Sequence, residues 1–243
     1  MAIKHENGRL TTAGPRAGSL STSALLEAAL GSTTPPVDLE HQIPDIVIRR
    51  LPIYVRTLNA LRDQGVGSVS SEELAATIGV SAAQIRRDLS YFGKFGKQGK
   101  GYDTQYLAGS IGAILRLDRL WPVALAGVGK LGLAIANYQG FAPSSFKIAA
   151  LFDGSPRHIG DVVNGLEILP NELIADVVRR ERIKIGIVSV RAPYAQDVAE
   201  RMIEGGIEAI LNYAPVILRV PENVTVREVD PVSALQSMTY YLH

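Results

Sequence analysis

The chain has 243 residues, of which 47% are hydrophobic, so it is long enough to bury one large core or two smaller ones. No run approaches the ~20 consecutive apolar residues of a membrane-spanning helix, and no long apolar segment follows the charged N-terminus as in a secretory signal. The chain has no cysteine, and its four histidines are scattered. Disulfides and thiolate metal sites are therefore excluded, and no histidine pair has metal-ligand spacing. These features predict a cytoplasmic protein that binds neither a membrane nor a metal.

The net charge of +1 hides a basic middle segment. Residues 41–120 carry 11 basic and 7 acidic side chains, and residues 81–102 alone carry five basic and one acidic. A local positive cluster on a nearly neutral chain favours a polyanionic partner for that segment. The alternative is a solvated basic face without a partner, which charge alone does not exclude.

Composition and pattern divide the chain into four parts. Residues 1–40 are rich in Gly, Ser, Thr, Ala and Pro, which is typical of a disordered tail. We predict one domain over 41–120, which carries the basic segment and ends in a linker helix, and a second domain over 121–229. Residues 230–243 are predicted to form a terminal amphipathic helix whose apolar stripe needs a partner.

The domain over 41–120 starts with a helical pattern. Apolar residues repeat at three- and four-residue spacing after Pro52, which suits the first turn of a helix, and Gly65 fits the end of that helix. A capping box of Ser70 and Glu73 then predicts a second helix over Ser71–Ile78.

A third helix follows after the break at Gly79. Ser81 and Gln84 form a second capping box, and this helix runs to about Tyr91. Two short helices joined by a tight glycine turn are typical of the helix-turn-helix. Arg86 and Arg87 fall outside the apolar stripe of the third helix and are therefore free to face a DNA groove.

The segment Gly93–Tyr102 alternates glycines with lysines and does not suit a helix. We predict a β-hairpin wing that presents its lysines to DNA phosphates. A disordered linker between two domains is the alternative. The predicted DNA contacts are Ser81, Gln84, Arg86, Arg87, Ser90, Tyr91, Lys94, Lys97 and Lys100.

A glycine-rich turn dominates the second half of the chain. The sequence Gly127-Val128-Gly129-Lys130-Leu131-Gly132 follows an apolar run, and a second apolar run ends in Asp153, 21 residues after the last glycine. This order predicts a dinucleotide whose pyrophosphate lies at a helix N-terminus. The Asp153 carboxylate can accept a hydrogen bond from a ribose 2′-OH and would repel a 2′-phosphate, which favours NADH and NAD⁺ over the phosphorylated forms. A glycine turn that binds nothing is the alternative.

Continuous apolar strands alternate with helices after this turn. We predict strands over 147–153, 183–190, 207–211 and 224–229 and a last helix over 231–242. Such strands indicate a parallel sheet that is covered on both faces. The predicted fold is therefore α/β, with a winged helix-turn-helix followed by a Rossmann-type domain.

Two classes of function fit this organisation. One is a DNA-binding regulator with a dinucleotide effector, and the other is an NAD-dependent oxidoreductase with a basic N-terminal appendage. Hydride transfer needs a positioned acid or base, and the chain has no Tyr-x-x-x-Lys pair; His158 alone lies within the sheet domain. The roughly 120 residues after Leu120 leave no room for a separate substrate domain. We therefore expect a regulator and not an enzyme.

Several strings together resemble the Rex family of bacterial redox-sensing transcriptional repressors, which respond to the NADH/NAD⁺ ratio. The similarity covers about residues 43–242. The strings that carry it are Leu51–Arg56, Arg86–Gly93, Gly99–Tyr102, Gly127–Gly132 with Asn137-Tyr138, Leu211–Val216 and Leu235–Ser237. The resemblance implies a homodimer that exchanges its C-terminal helix between subunits and binds operator DNA until NADH releases it.

The resemblance also implies an inter-domain network that responds to the ligand. The matching positions in this chain are Arg56, Tyr138 and Asp230, and Tyr138 is also expected at the cofactor. Pro231 departs from the large apolar residue that family members have near the nicotinamide. Each of the three side chains also has a simpler interpretation, as a solvated arginine, a packed tyrosine and a helix N-cap.

Overall fold

The computed structural model describes residues 43–96 and 101–242. The described residues from Arg49 onward form one compact unit, and the described residues 43–48 belong to a separate N-terminal unit. The predicted tail over residues 1–40 lies outside the described residues, as do Lys97 and Lys100.

The first part of the fold is a small helical domain with a two-stranded sheet. Its elements are α1 (Asp45–Asp63), β1 (Ser68–Val69), α2 (Ser71–Ile78), α3 (Ala82–Ser90), β2 (Tyr102–Asp103) and α4 (Thr104–Ile114). Its core consists of fully or almost fully buried apolar side chains on all four helices: Leu51, Tyr54, Leu58, Leu74, Ile85, Leu89, Leu107 and Ile111.

The helix-turn-helix prediction is confirmed. The capping box at Ser70 is complete, since the Ser70 side chain accepts from the backbone of Glu73 and the Glu73 side chain accepts from the backbone of Ser70. Gly79 then ends α2 in the left-handed conformation, with φ of 82°. Ser81 caps α3 by accepting from the backbone of Gln84.

The second capping box is only half formed, so that prediction was wrong in one respect. The Gln84 amide does not return to the backbone of Ser81; its Nε2 donates to Asp88 Oδ1 at 2.7 Å. A hydrogen bond to an ionised carboxylate is stronger than one between neutral groups, so the Gln84 side chain turns to Asp88 and not to the backbone of Ser81.

The predicted start of the first helix was also wrong. The helix begins at Asp45, and Pro52 lies inside it instead of in its first turn. A proline inside a helix removes one backbone hydrogen bond and costs roughly 3 kcal/mol. Burial of Leu51, Tyr54 and Leu58 on one face of the helix offsets that cost.

The predicted wing differs in its strand pairing. Tyr102–Asp103 pairs antiparallel with Ser68–Val69, which precedes the helix-turn-helix, and the described residues 91–96 contain no strand. Gly101 has φ of 71°, and a Cβ there would lie 2.7 Å from the carbonyl oxygen of Val69. The small sheet therefore requires glycine at this position.

The second part of the fold is a seven-stranded sheet with helices. Its elements are β3 (Trp121–Ala126), α5 (Lys130–Ala136), β4 (Phe146–Asp153), β5 (Val162–Val163), β6 (Leu166–Pro170), α6 (Ile174–Arg180), β7 (Ile185–Val188), α7 (Ala192–Gly205), β8 (Ala209–Asn212), β9 (Thr225–Glu228) and α8 (Pro231–Thr239).

The strand order is β5-β6-β4-β3-β7-β8-β9, and all neighbours except β5 and β6 run parallel. Apart from the edge strand β5, this is the order of a doubly wound dinucleotide-binding fold. The chain winds outward from β3 in one direction and then returns to its other side at β7. The carboxyl ends of β3 and β7 are therefore the topological switch point where ligands bind in such sheets.

The β5–β6 hairpin is an element that the sequence analysis missed. Asn164 and Gly165, which connect the two strands, have φ of 53° and 78°. Two consecutive positive φ values at Asn-Gly are characteristic of the type I′ turn. The Asn-Gly pair between apolar residues was thus a signal that could have predicted this hairpin.

Candidate nucleotide cleft and DNA-binding surface

The glycine turn lies at the carboxyl end of β3, as predicted. Gly127 has φ of 94°, and a Cβ there would lie 2.6 Å from the carbonyl oxygen of Ser189 at the end of β7. A Cβ on Gly132 would overlap the carbonyl oxygen of Gly127. Both positions therefore need glycine, whereas Gly129 has open space around it that permits the close approach of a ligand.

The Asp153 carboxylate fastens this turn to the end of β4. Its Oδ2 accepts from the backbone N–H of Val128 and its Oδ1 from that of Ser155, both at 2.7 Å. His158 Nδ1 lies 3.1 Å from Oδ2, in an orientation that does not form a well-aligned hydrogen bond. Only 8% of Asp153 is exposed.

The pKa of Asp153 results from opposing effects. Burial raises it, but the hydrogen bonds from Ser155 and Val128 and the nearby His158 imidazole outweigh burial, so the pKa is lowered. The carboxylate is therefore ionised at neutral pH. It carries the negative charge that the sequence analysis assigned to it, while its two oxygens already bind backbone groups.

A cleft of about 540 Å³ opens beside the glycine turn at the switch point. Its lining residues are Gly127, Gly129, Asp153, Gly154, Ser155, His158, Asn171, Ser189, Val190, Arg191 and Tyr194. Four of these residues were not predicted from the sequence: Asn171, Ser189, Arg191 and Tyr194. The switch-point rule would have pointed to Ser189, because it directly follows β7.

One buried polar atom at this cleft, the Oδ1 of Asn171, has no hydrogen-bond partner among the described residues. An unpartnered buried polar atom is costly unless a ligand or a water satisfies it. Together with the glycine turn, the cleft therefore suits a ligand with polar groups such as a nucleotide.

The structure does not bring together the three predicted network residues. Tyr138 is 63% exposed, packs edge-on against Phe141 and lines a different pocket of about 450 Å³. Asp230 caps α8 by accepting from the backbone of Val232 at 2.9 Å. No hydrogen bond or ion pair joins Arg56, Tyr138 and Asp230 within the part of the chain that the structure describes.

The predicted DNA-contacting residues of α3 are mostly on its solvent-facing side. Ser81, Arg86, Arg87, Ser90 and Tyr91 are exposed, whereas Ile85, Asp88 and Leu89 form the buried face. Gln84 is only partly exposed, and its side chain binds Asp88. Lys94 is exposed near β1 and β2 and lines a shallow pocket with Ser68 and Tyr106.

Asp88 anchors the inner face of α3 and was not identified from the sequence as a structural residue. Its carboxylate is fully buried and accepts from Arg50 Nε at 2.5 Å, Arg50 Nη2 at 2.7 Å, the Tyr54 hydroxyl at 2.6 Å and Gln84 Nε2 at 2.7 Å. Burial raises the pKa of Asp88, but the hydrogen bonds from Arg50, Tyr54 and Gln84 outweigh it and lower the pKa. A fixed charge network thus holds α3 against α1.

The fold and the two sites define a class of protein: a helix-turn-helix DNA-binding domain joined to a dinucleotide-binding sheet. Residues 42–90 match the family described as "Putative DNA-binding protein N-terminus", and residues 118–216 match the "CoA binding domain" family. The chain belongs to the Rex family. A Chloroflexus aurantiacus relative named redox-sensing transcriptional repressor Rex is 54% identical over 82% of this chain and 94% of its own length. The Streptomyces coelicolor protein of the same name is 41% identical over 88% of this chain and 83% of its own length.

Solved structures agree with this assignment. The structure of RSP bound to β-NAD⁺ and operator DNA has a TM-score of 0.78 and 40% identity, and covers 82% of this chain and 92% of its own. The structure of RSP bound to β-NADH has a TM-score of 0.75 and 38% identity, over 82% and 94% of the two chains. The predicted α/β fold with an N-terminal DNA-binding domain is confirmed. Within the described residues, no helix is long and apolar enough to cross a membrane, and no cluster of His, Asp and Glu could hold a metal ion.

Proposed function

We propose that this chain is a transcriptional repressor that binds operator DNA as a homodimer and releases it when NADH binds. It would thereby respond to the ratio of NADH to NAD⁺ and catalyse no reaction. The observation that best supports this function is the presence, in one chain, of an exposed basic face on α3 and a cleft at the Gly127–Gly132 turn. Rex relatives carry the name of redox-sensing repressors, and RSP has been solved with both nucleotides and with DNA.

The residues of the cleft fit a dinucleotide. The turn at Gly127 and the open space at Gly129 suit a pyrophosphate, and the unpartnered Oδ1 of Asn171 suits a hydroxyl or amino donor of the adenosine. The dinucleotide would act through its redox state alone, without a bond being made or broken. The Asp153 charge would disfavour a 2′-phosphate.

The last helix supports the homodimer. None of the residues of α8 is buried, although Val232, Leu235 and Met238 are apolar and each about 60% exposed. A nine-residue helix is marginal in water without packing. A second copy of the chain would cover this stripe, with the helix exchanged between subunits.

A dimer provides the physical basis of release. Two recognition helices must stand about one turn of DNA, roughly 34 Å, apart to read two half-sites. A ligand shifts this arrangement only if it binds one arrangement more tightly than the other. We assign the transmission to Arg56, Tyr138 and Asp230, which are exposed in one chain and so accessible to contacts formed in the dimer.

Fluorescence anisotropy with labelled palindromic promoter DNA tests this function. We expect the full chain to bind such DNA, NADH to weaken binding at least tenfold, and NAD⁺ to have a smaller effect. DNA binding that is indifferent to NADH would contradict the proposal. Turnover of NADH with a panel of carbonyl substrates would instead support the oxidoreductase alternative.

A further inference from the structure

The guanidinium of Arg86 is held from one side by the first turn of the preceding helix. Its Nη1 donates to Ser71 Oγ at 2.6 Å and to Glu72 Oε1 at 2.9 Å. The capping box at Ser70 fixes the start of α2, and Ser71 itself is only 8% exposed. The two acceptors therefore occupy defined positions.

This arrangement leaves one edge of the guanidinium available. The two Nη1 hydrogens are used by Ser71 and Glu72, whereas Nε and Nη2 bind no other described residue. The side chain remains 53% exposed on the outer face of α3. Two parallel N–H groups on one edge match the O6 and N7 acceptors that guanine presents in the major groove.

Arg87 has no such anchor, although it is the next residue on the same helix. Its side chain makes no hydrogen bond or ion pair with any residue that the structure describes. An unanchored arginine is free to follow a phosphate, but it must lose more rotamer freedom before it reads a base in one geometry. The structure thus distinguishes two arginines that the sequence pattern treats alike.

Glu72 lies beside Arg86 at the proposed DNA-binding face. It is an exposed acid, and next to a DNA-binding face its charge would repel phosphates. The hydrogen bond from Arg86 lowers the pKa of Glu72, so the carboxylate stays ionised and paired. An acid in this position is compatible with DNA binding if its task is to orient the arginine.

We propose that Arg86 reads one guanine in each operator half-site, and that Ser71 and Glu72 are positioning residues that orient its guanidinium. This inference rests on the proposed DNA-binding function. It assigns different roles to the two arginines: Arg86 determines base preference, and Arg87 contributes to the affinity for phosphates.

The test is selection of binding sites from a randomised duplex library by the full chain, followed by affinities for single-base variants of the selected site. We expect a guanine preference of roughly 5- to 150-fold at one position per half-site, the range for a bidentate pair. Arg86→Lys should abolish this preference. Glu72→Gln and Glu72→Asp should each reduce it several-fold without changing the dependence of affinity on salt, because neither change removes a phosphate contact.

The matched control is Arg87→Lys, which should keep the guanine preference. A thermal unfolding curve and an NADH titration for each variant separate a reading defect from misfolding. Native base preference in Arg86→Lys or in both Glu72 variants would overturn the inference, as would loss of the preference in Arg87→Lys. If the native chain enriches no site at all, the proposed repressor function fails as well, and the two failures are therefore distinguishable.

Discussion

Asp88 shows how one buried charge can position a recognition helix. Its carboxylate has no solvent exposure and accepts four hydrogen bonds, three of which come from α1. Removing part of such a network leaves the remaining donors without their acceptor, which costs more than the net value of the bonds themselves.

We predict that Asp88→Asn lowers the free energy of unfolding at pH 7 by roughly 1.5–3 kcal/mol, the range for a hydrogen bond to a charged group. The folded-state pKa of Asp88 lies below its unfolded value, so its stabilisation is present at neutral pH and is lost as the pH falls through the folded pKa. The difference in unfolding free energy between the native protein and the variant should therefore become smaller below about pH 4.

Urea unfolding of the two proteins from pH 7 down to pH 3 measures this difference. Tyr54→Phe is the matched control, because it removes one hydrogen bond and leaves the Arg50–Asp88 ion pair in place. A difference in unfolding free energy that stays constant from pH 7 to pH 3 would show that the charge of Asp88 does not contribute to stability.

Asp153 combines a structural task with an electrostatic one, and two substitutions separate them. Asp153→Asn removes the charge but keeps one carbonyl acceptor for Val128 or Ser155. We predict that it raises affinity for NADPH relative to NADH by about fivefold, since one charge pair near the surface contributes on the order of 1 kcal/mol. Asp153→Ala should instead weaken both nucleotides, because the glycine turn loses its attachment to β4.

Calorimetric titration with NADH and NADPH distinguishes these outcomes. An unchanged NADH/NADPH ratio in Asp153→Asn would mean that the carboxylate does not determine nucleotide choice.

Among the helices and strands, those that depend on local sequence signals were predicted. Capping residues and apolar strands predicted α2, α3 and β4 to within a few residues, and the glycine turn predicted the start of α5. The start of α1 could not be predicted in the same way, because burial of one helix face outweighs the local preference of Pro52. The partner of β2 lies more than 30 residues away in the chain, so spacing carried no information about it.

The residues of the cleft were likewise predicted only where they belong to a contiguous motif. The glycine turn and Asp153 are contiguous motifs and were found, whereas Asn171, Ser189 and Arg191 reach the cleft from β6, β7 and α7 only through the sheet topology. The Arg86–Glu72 pair joins residues 14 positions apart on two helices. Its geometry depends on the crossing of those helices and not on any periodicity.

The apolar stripe of α8 gives an element-scale prediction. Leu235→Asp with Met238→Asp should convert the dimer to monomers and weaken operator binding by at least tenfold, because one subunit reads only one half-site. Sedimentation velocity and anisotropy measure the two effects. Gln236→Glu adds a charge to the same helix outside the stripe and should leave both unchanged, whereas a double variant that remains dimeric would contradict the role of this stripe.

At the scale of the whole molecule, the exposed Tyr138 is the accessible test of signal transmission. Tyr138→Phe removes only the hydroxyl and keeps the ring contact with Phe141. We predict that NADH still binds with an affinity within about threefold of native but releases DNA less, because a hydrogen bond contributes about 1 kcal/mol to the coupling. Native-like release in this variant would remove Tyr138 from the network.

In the proposed repressor, the cleft at Gly127–Gly132 and the recognition helices share one conformational equilibrium. Thermodynamic linkage then requires that DNA weaken NADH binding by the same factor by which NADH weakens DNA binding. The most direct measurement is an NADH titration of the full chain, with and without saturating operator DNA, compared with the anisotropy result. We expect equal factors of tenfold or more; NADH affinity that is the same with and without DNA would show that the two sites are not coupled.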